Sequence, residues 1–148
     1  MSKAALPPAV YVCNLEQARL AARCAARLKS SVLLLCPAES AAFGGVPWFK
    51  ALTRAASQET GATCLTGLEA GEDAALAHEA LQAHLDFVVF EGGSKVRERL
   101  TAMALAQGAT VVEKAPPALS LMGAPDPEAR CLSWLERGTE RGSELHPG

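Results

Sequence analysis

The sequence predicts a single α/β domain: a three-layer, doubly wound, mainly parallel sheet of five strands with an extra C-terminal helix. Five short β-branched or aliphatic runs, at residues 9–13, 31–36, 62–66, 86–90 and 109–113, alternate with Ala- and Leu-rich stretches of helical character. That alternation implies βα units, and so a parallel sheet with helices on its faces. A length of 148 residues suits one domain with a real core.

Each element has a local reason. Pro7 and Pro8 close a short disordered lead and deliver the first strand. Asn14 stands at that strand's carboxyl end and would cap a helix reaching to about Lys29. The second strand stops at Cys36, because Pro37 cannot continue a ladder. Gly44 and Gly45 follow, and Pro47, favoured in a first helical turn, opens a helix over 47–59 closed by Gly61. The third strand, 62–66, leads through a loop over 67–73 into a helix ending near His84, with Leu76, Ala80 and Leu81 on its apolar face. Ser94 would cap a helix over 95–107 after the fourth strand, and Gly108 would stop it. The fifth strand ends at Lys114. Ala115-Pro116-Pro117 then breaks the pattern until Asp126 and Pro127, a cap followed by proline, open a helix over 127–137. The domain so drawn is 1–137, its core 9–114, and the polar stretch 138–148 reads as a disordered tail.

Right-handed crossovers with five strands favour the flavodoxin-like, Rossmann-like order 2-1-3-4-5. The competing topology is half of a (β/α)₈ barrel that would need a second copy, since a complete barrel takes roughly 250 residues. In either topology a site would lie at the loops leaving the carboxyl ends of the strands.

Composition narrows the function classes. The formal net charge of −2 carries no basic excess, which argues against a nucleic-acid partner. Arg19, Arg23 and Arg27 form a stripe on the first helix that reads as a solvated face. No run of about 18 apolar residues exists, so no membrane partner is expected. Residues 1–8 lack a signal peptide's apolar centre, and five cysteines, an odd number, fit reduced thiols; the chain reads as cytoplasmic. About a fifth of the residues are alanine, a bacterial-type composition that gives a thin core and an expected homodimer. Trp48, Phe49 and Trp134 are the candidate interface residues, with core packing the alternative for Trp48 and Phe49.

Residues 91–97, Glu-Gly-Gly-Ser-Lys-Val-Arg, offer an anion site, because free N–H groups and a helix dipole meet there. Gly92, Gly93 and Ser94, with Asn14, Thr66 and Lys114 at other strand ends, form the ligand-binding set; Glu91 would repel a phosphate. The alternative is an ordinary βα turn. No G-x-G-x-x-G or P-loop stands where a nucleotide fold needs it. No cofactor and no metal is expected, and no catalytic residue can be assigned. Cys13, Cys36 and Cys64 could converge on one sheet edge for a thiol or metal role, though packing as small hydrophobes is the simpler role. His78 and His84 do not share a helix face, and Glu72 and Asp73 suit a helix start.

Residues 86–95 resemble the phosphate-binding glycine loops of (β/α)₈ barrels. Residues 73–81 followed by 85–90 resemble the second half of a response-regulator receiver domain, and Lys114 falls where a receiver carries its lysine. That resemblance implies a receiver-like fold without phosphotransfer. Cys13-Asn14 and Leu65-Thr66-Gly67 stand where the receiver's metal-binding carboxylates and phosphoacceptor would be. The expected function is a non-catalytic binding or self-associating module, leaning away from an enzyme. The alternative is a small enzyme or sensor for an anionic, phosphorylated small molecule.

Overall fold

The computed structural model describes residues 6–144, and side chains as far as Gly138. The strands are β1 (Ala9–Tyr11), β2 (Ser31–Cys36), β3 (Thr63–Gly71), β4 (Phe87–Phe90), β5 (Thr110–Val112) and β6 (Ala118–Leu119). The helices are α1 (Leu15–Arg27), α2 (Ala38–Thr60), α3 (Ala74–Gln82), α4 (Ser94–Gln107) and α5 (Pro127–Glu144). Several predicted boundaries follow from local chemistry. Asn14 caps α1, its Oδ1 accepting from the Gln17 N–H at 2.8 Å. Asp126 does the same for α5, accepting from the Ala129 N–H at 3.1 Å. Gly61 and Gly108 end α2 and α4 in left-handed conformations. α2 is longer than predicted and kinks at Gly45 (φ 85°, ψ 166°), a conformation glycine adopts freely. The expected 47–59 helix is its second limb.

The strands associate in the order β5-β4-β3-β2-β1-β6, each neighbouring pair parallel. This corrects the predicted order 2-1-3-4-5 and its flavodoxin-like winding. It also adds a sixth strand, beyond the Pro116-Pro117 break. Consecutive strands lying side by side, joined by right-handed crossovers, put their helices on one face. Val10, Val32, Leu34, Leu68, Val88 and Phe90 accordingly pack with helix residues such as Ala21, Phe49, Ala77 and Leu100. The three-layer arrangement gives way to two layers, one of sheet and one of helices.

The opposite face packs against itself. Ala9, Leu33, Leu35, Phe87 and Val89 form a second cluster, joined by Tyr11, Leu65, Val112 and Ala118, all from strands. Leu33 and Leu35 are nevertheless 0% exposed. A flat face with no layer above it would leave them in water. Connectivity demands the same thing. On a flat sheet β5 and β6 would stand about 24 Å apart, five spacings of roughly 4.8 Å. Residues 113–117 must join them, and the steps from Val112 to Ala118 reach at most about 22 Å. The chain must also travel back, because Val112 is level with Val89 near the end of β4 while Ala118 pairs with Ala9 at the start of β1. The sheet therefore curls, helices outside, until its own side chains fill the concave side.

Two further expectations change. β3 continues past residue 66 to Gly71, so residues 67–71 are strand rather than loop. Gly67 suits a tight place in the packing: a Cβ would lie 3.1 Å from the Phe87 Cβ and 3.2 Å from a Leu35 methyl. α5 runs to Glu144, so residues 138–144 are helix and not a disordered tail. Residues 145–148, and most of the predicted N-terminal lead, lie outside the described residues.

Because the concave side is closed by its own side chains, Leu35→Ala is expected to cost about 2–5 kcal/mol, as for a buried core leucine. Urea denaturation measures it. A loss under about 1 kcal/mol would mean that this face is open to water.

Candidate functional site

Two features stand at the carboxyl ends of the first strands. The first is a cleft. β1 turns through Cys13 into α1, and β2 turns through Pro37 into α2. Between these helices lies a cavity of about 770 Å³, within the usual range for small-molecule sites. Cys13, Asn14 and Leu15 line it at the β1–α1 turn, and Ser40, Phe43, Trp48, Leu52 and Ala55 from α2. The wall is largely apolar. Trp48 reaches it by folding over the kink: a Cβ at Gly44 would come within 2.4 Å of the indole, so only glycine lets the ring lie there. Phe43, on the same first limb of α2, is 96% exposed.

The second feature is a polar pair on the concave face. The Tyr11 hydroxyl donates to Glu69 Oε2 at 2.5 Å. The two residues belong to β1 and β3, with β2 between them. The curl, and the missing side chain at Gly67, allow the bond to pass over Leu35. Burial, then the hydrogen bond to Glu69, then the charges of Glu69 and Glu39 push the Tyr11 pKa up to about 12. Cys36 is also pushed up to about 12, by burial first and then by Cys13 and Glu69. Tyr11, Glu69, Glu39, Cys13 and Cys36 thus share the carboxyl ends of β1, β2 and β3. No sequence motif singles out Tyr11 or Glu69. Glu69 lay in a stretch read as loop, and the pairing depends on which strands sit two apart.

The predicted ligand set divides. Asn14 lines the cleft. Thr66 lies away from the carboxyl ends, because β3 runs on beyond it. Its N–H and hydroxyl donate to Asp86 Oδ2 at 2.9 and 3.3 Å, just ahead of β4. Gly92, Gly93 and Ser94 follow β4, and Lys114 follows β5 on the neighbouring strand. Gly93 is the N-cap of α4, so Ser94 is its first residue and not its cap. Gly92 is set by packing, since a Cβ there would lie 2.3 Å from the Phe90 ring. Its carbonyl accepts from Arg97 Nη1 at 2.9 Å, and the same guanidinium lies 3.8 Å from Glu113.

The interface set is corrected in part. Phe49 is 0% exposed in the core and is no surface residue. Trp134 donates its indole N–H to the Ala9 carbonyl at 2.9 Å, an intramolecular bond between α5 and β1. Trp48 forms the cleft wall. The three cysteines do not converge: Cys64 lies near the start of β3 beside Ser57, which opposes the upward push of burial on its thiol. Among the described residues no group of His, Cys, Asp and Glu is placed to hold a metal. Nor is any helix among them long and apolar enough to cross a membrane.

No family model and no curated protein matches the sequence. Solved structures do match in three dimensions, and two of them show the likeness. The chain resembles aldolases in fold. One is a candidate fructose-1,6-biphosphate aldolase from Coccidioides immitis, at TM-score 0.58 and 18% identity, covering 72% of this chain and 44% of that one. The other is the YdjI aldolase from Escherichia coli K12, at TM-score 0.56 and 17% identity, covering 88% and 52%. The chain spans about half the length of these proteins, and at such identity the likeness is one of fold alone. The one-sided winding agrees with that likeness, because a barrel also sets consecutive parallel strands side by side with helices outside.

Tyr11 is the sole tyrosine of the chain, so phenolate absorbance reports it alone. Its folded pKa stands above the unfolded value of 10, so the protonated phenol stabilises the fold, fully below pH 10. That contribution is lost as pH rises from 10 to about 12. Ultraviolet titration should give a midpoint near 12, falling toward 10 in Glu69→Ala. An unshifted wild-type midpoint would remove the pair.

Proposed function

We propose that this chain is a small-molecule-binding domain of barrel type. Its ligand would be apolar and ring-containing, seated in the Trp48 cleft at the carboxyl ends of β1 and β2. The cavity of about 770 Å³ carries the reading. It is the size of a ligand site, it is walled by an indole and aliphatic side chains, and it offers polar groups in Asn14, Ser40 and Cys13. Its position supports the reading as well, since barrel-type folds set their ligands at this end of the strands. Gly92, Gly93, Ser94 and Lys114 follow β4 and β5 and do not line this cleft, so an anion bound by them would occupy a separate place at the strand ends. A second reading, an enzyme, is favoured by the Tyr11–Glu69 pair. A hydroxyl and a carboxylate bonded together on an otherwise apolar concave face, where barrel enzymes carry their catalytic groups, suit proton transfer better than packing.

Anilinonaphthalene sulfonate, an aromatic anion, tests the cleft. It should bind the folded protein saturably and quench Trp48. Ala55→Trp, which fills the cavity, should weaken binding at least about tenfold, or about 1.4 kcal/mol, with the fold checked by circular dichroism. Equal binding by both proteins would refute the cleft as the site. A doubled mass by light scattering together with no dye binding would refute it too, and would assign the cleft to a second copy.

A further inference from the structure

α5 is held to the body of the domain at several points. Trp134 bonds to β1, and Arg27 of α1 pairs with Glu128 of α5 at 3.2 Å. On the same seam Cys24 of α1 and Cys131 of α5 face each other, side chain to side chain. Both belong to the main core cluster, with exposures of 2% and 0%. The Cys24 Sγ lies 3.9 Å from the Glu128 carbonyl oxygen, one turn before Cys131 on α5. Arg27 and Glu128 are themselves open to solvent, so the buried thiols sit one helical turn from water. A bare packing role needs only two small apolar groups here. Two buried thiols that face each other across a helix–helix seam also meet the first condition of a disulfide, whose S–S bond of about 2.05 Å needs the sulfurs to be neighbours.

We propose that Cys24 and Cys131 form a reversible disulfide that fastens α5 to α1, with hydrogen peroxide as the oxidant. Cys24 attacks as thiolate. Its S–O bond forms as the peroxide O–O bond breaks, leaving a sulfenic acid and a hydroxide that takes a proton to become water. The Cys131 sulfur then attacks Cys24, the S–S bond forms and the S–O bond breaks. The leaving hydroxide takes the Cys131 proton to depart as water. Two thiols lose two electrons to one peroxide, and two waters result. The assignment of roles follows the local charges. A hydrogen bond from Cys131 lowers the Cys24 pKa, and Arg23 and Arg27 act the same way against burial and Glu128. The donating Cys131 thiol is pushed up, by that hydrogen bond first and then by burial.

The test treats the reduced full-length protein with stoichiometric peroxide, alkylates it in denaturant and maps the peptides by mass spectrometry. A Cys24–Cys131 cross-linked peptide should appear and vanish with dithiothreitol, while Cys13, Cys36 and Cys64 stay alkylated. The unfolding temperature should rise on oxidation. That rise should be absent in Cys131→Ser and retained in Cys64→Ser. Recovery of Cys24 and Cys131 as free thiols, a cross-link through any other cysteine, or Cys24 oxidised to the sulfinic acid would each overturn the proposal.

Discussion

A short link between the two edge strands governs this molecule. Residues 113–117 contain no helix, yet they carry the chain from β5 at one edge of the sheet to β6 at the other. A flat sheet would place those edges beyond the reach of the link. Curling brings them within reach, and the rest follows. The helices all lie on the convex side, because only there does a sequential parallel order leave room. The concave side needs no further layer, since Leu33, Leu35, Phe87 and Val89 converge and exclude water from one another. The strand ends gather around a mouth, and the two groups with chemical potential lie there.

Much of the fold was legible in the residues. Asn14 and Asp126 announce helix starts because a short polar side chain can satisfy an orphan N–H, and both do so. Gly61 and Gly108 announce helix ends for the matching reason. The winding was not legible. Strands buried on both faces look alike in a doubly wound sheet and in a curled one, because helices and converging side chains exclude water equally well. The sign that separated them was the absence of a helical pattern between residues 113 and 118, and a two-residue strand is too short to register as a period.

The site shows the same division. Asn14 was readable because its role is local. Tyr11 and Glu69 were not, since their meeting depends on β2 lying between β1 and β3 and on a glycine leaving space above Leu35. Glycines misled in both directions. Gly67 read as loop and is strand, placed where Phe87 crowds the backbone. Gly92 reads as part of an anion site or as an ordinary βα turn, and the Phe90 ring packs where its side chain would stand. Gly44 is the instructive case, because its missing side chain lets Trp48 build the cleft wall. Trp48 and Phe90 stand near their glycines in sequence, but a rotamer decides that their rings fold over them, and Phe87 meets Gly67 only through strand register.

Crystals of this protein soaked with small aromatic fragments would test the placement of the site most directly. Fragments should gather between Asn14 and Trp48, with their rings on the indole. Fragments gathering instead beside Thr66 and Asp86, ahead of β4, or a cleft left empty while other surfaces fill, would contradict that placement.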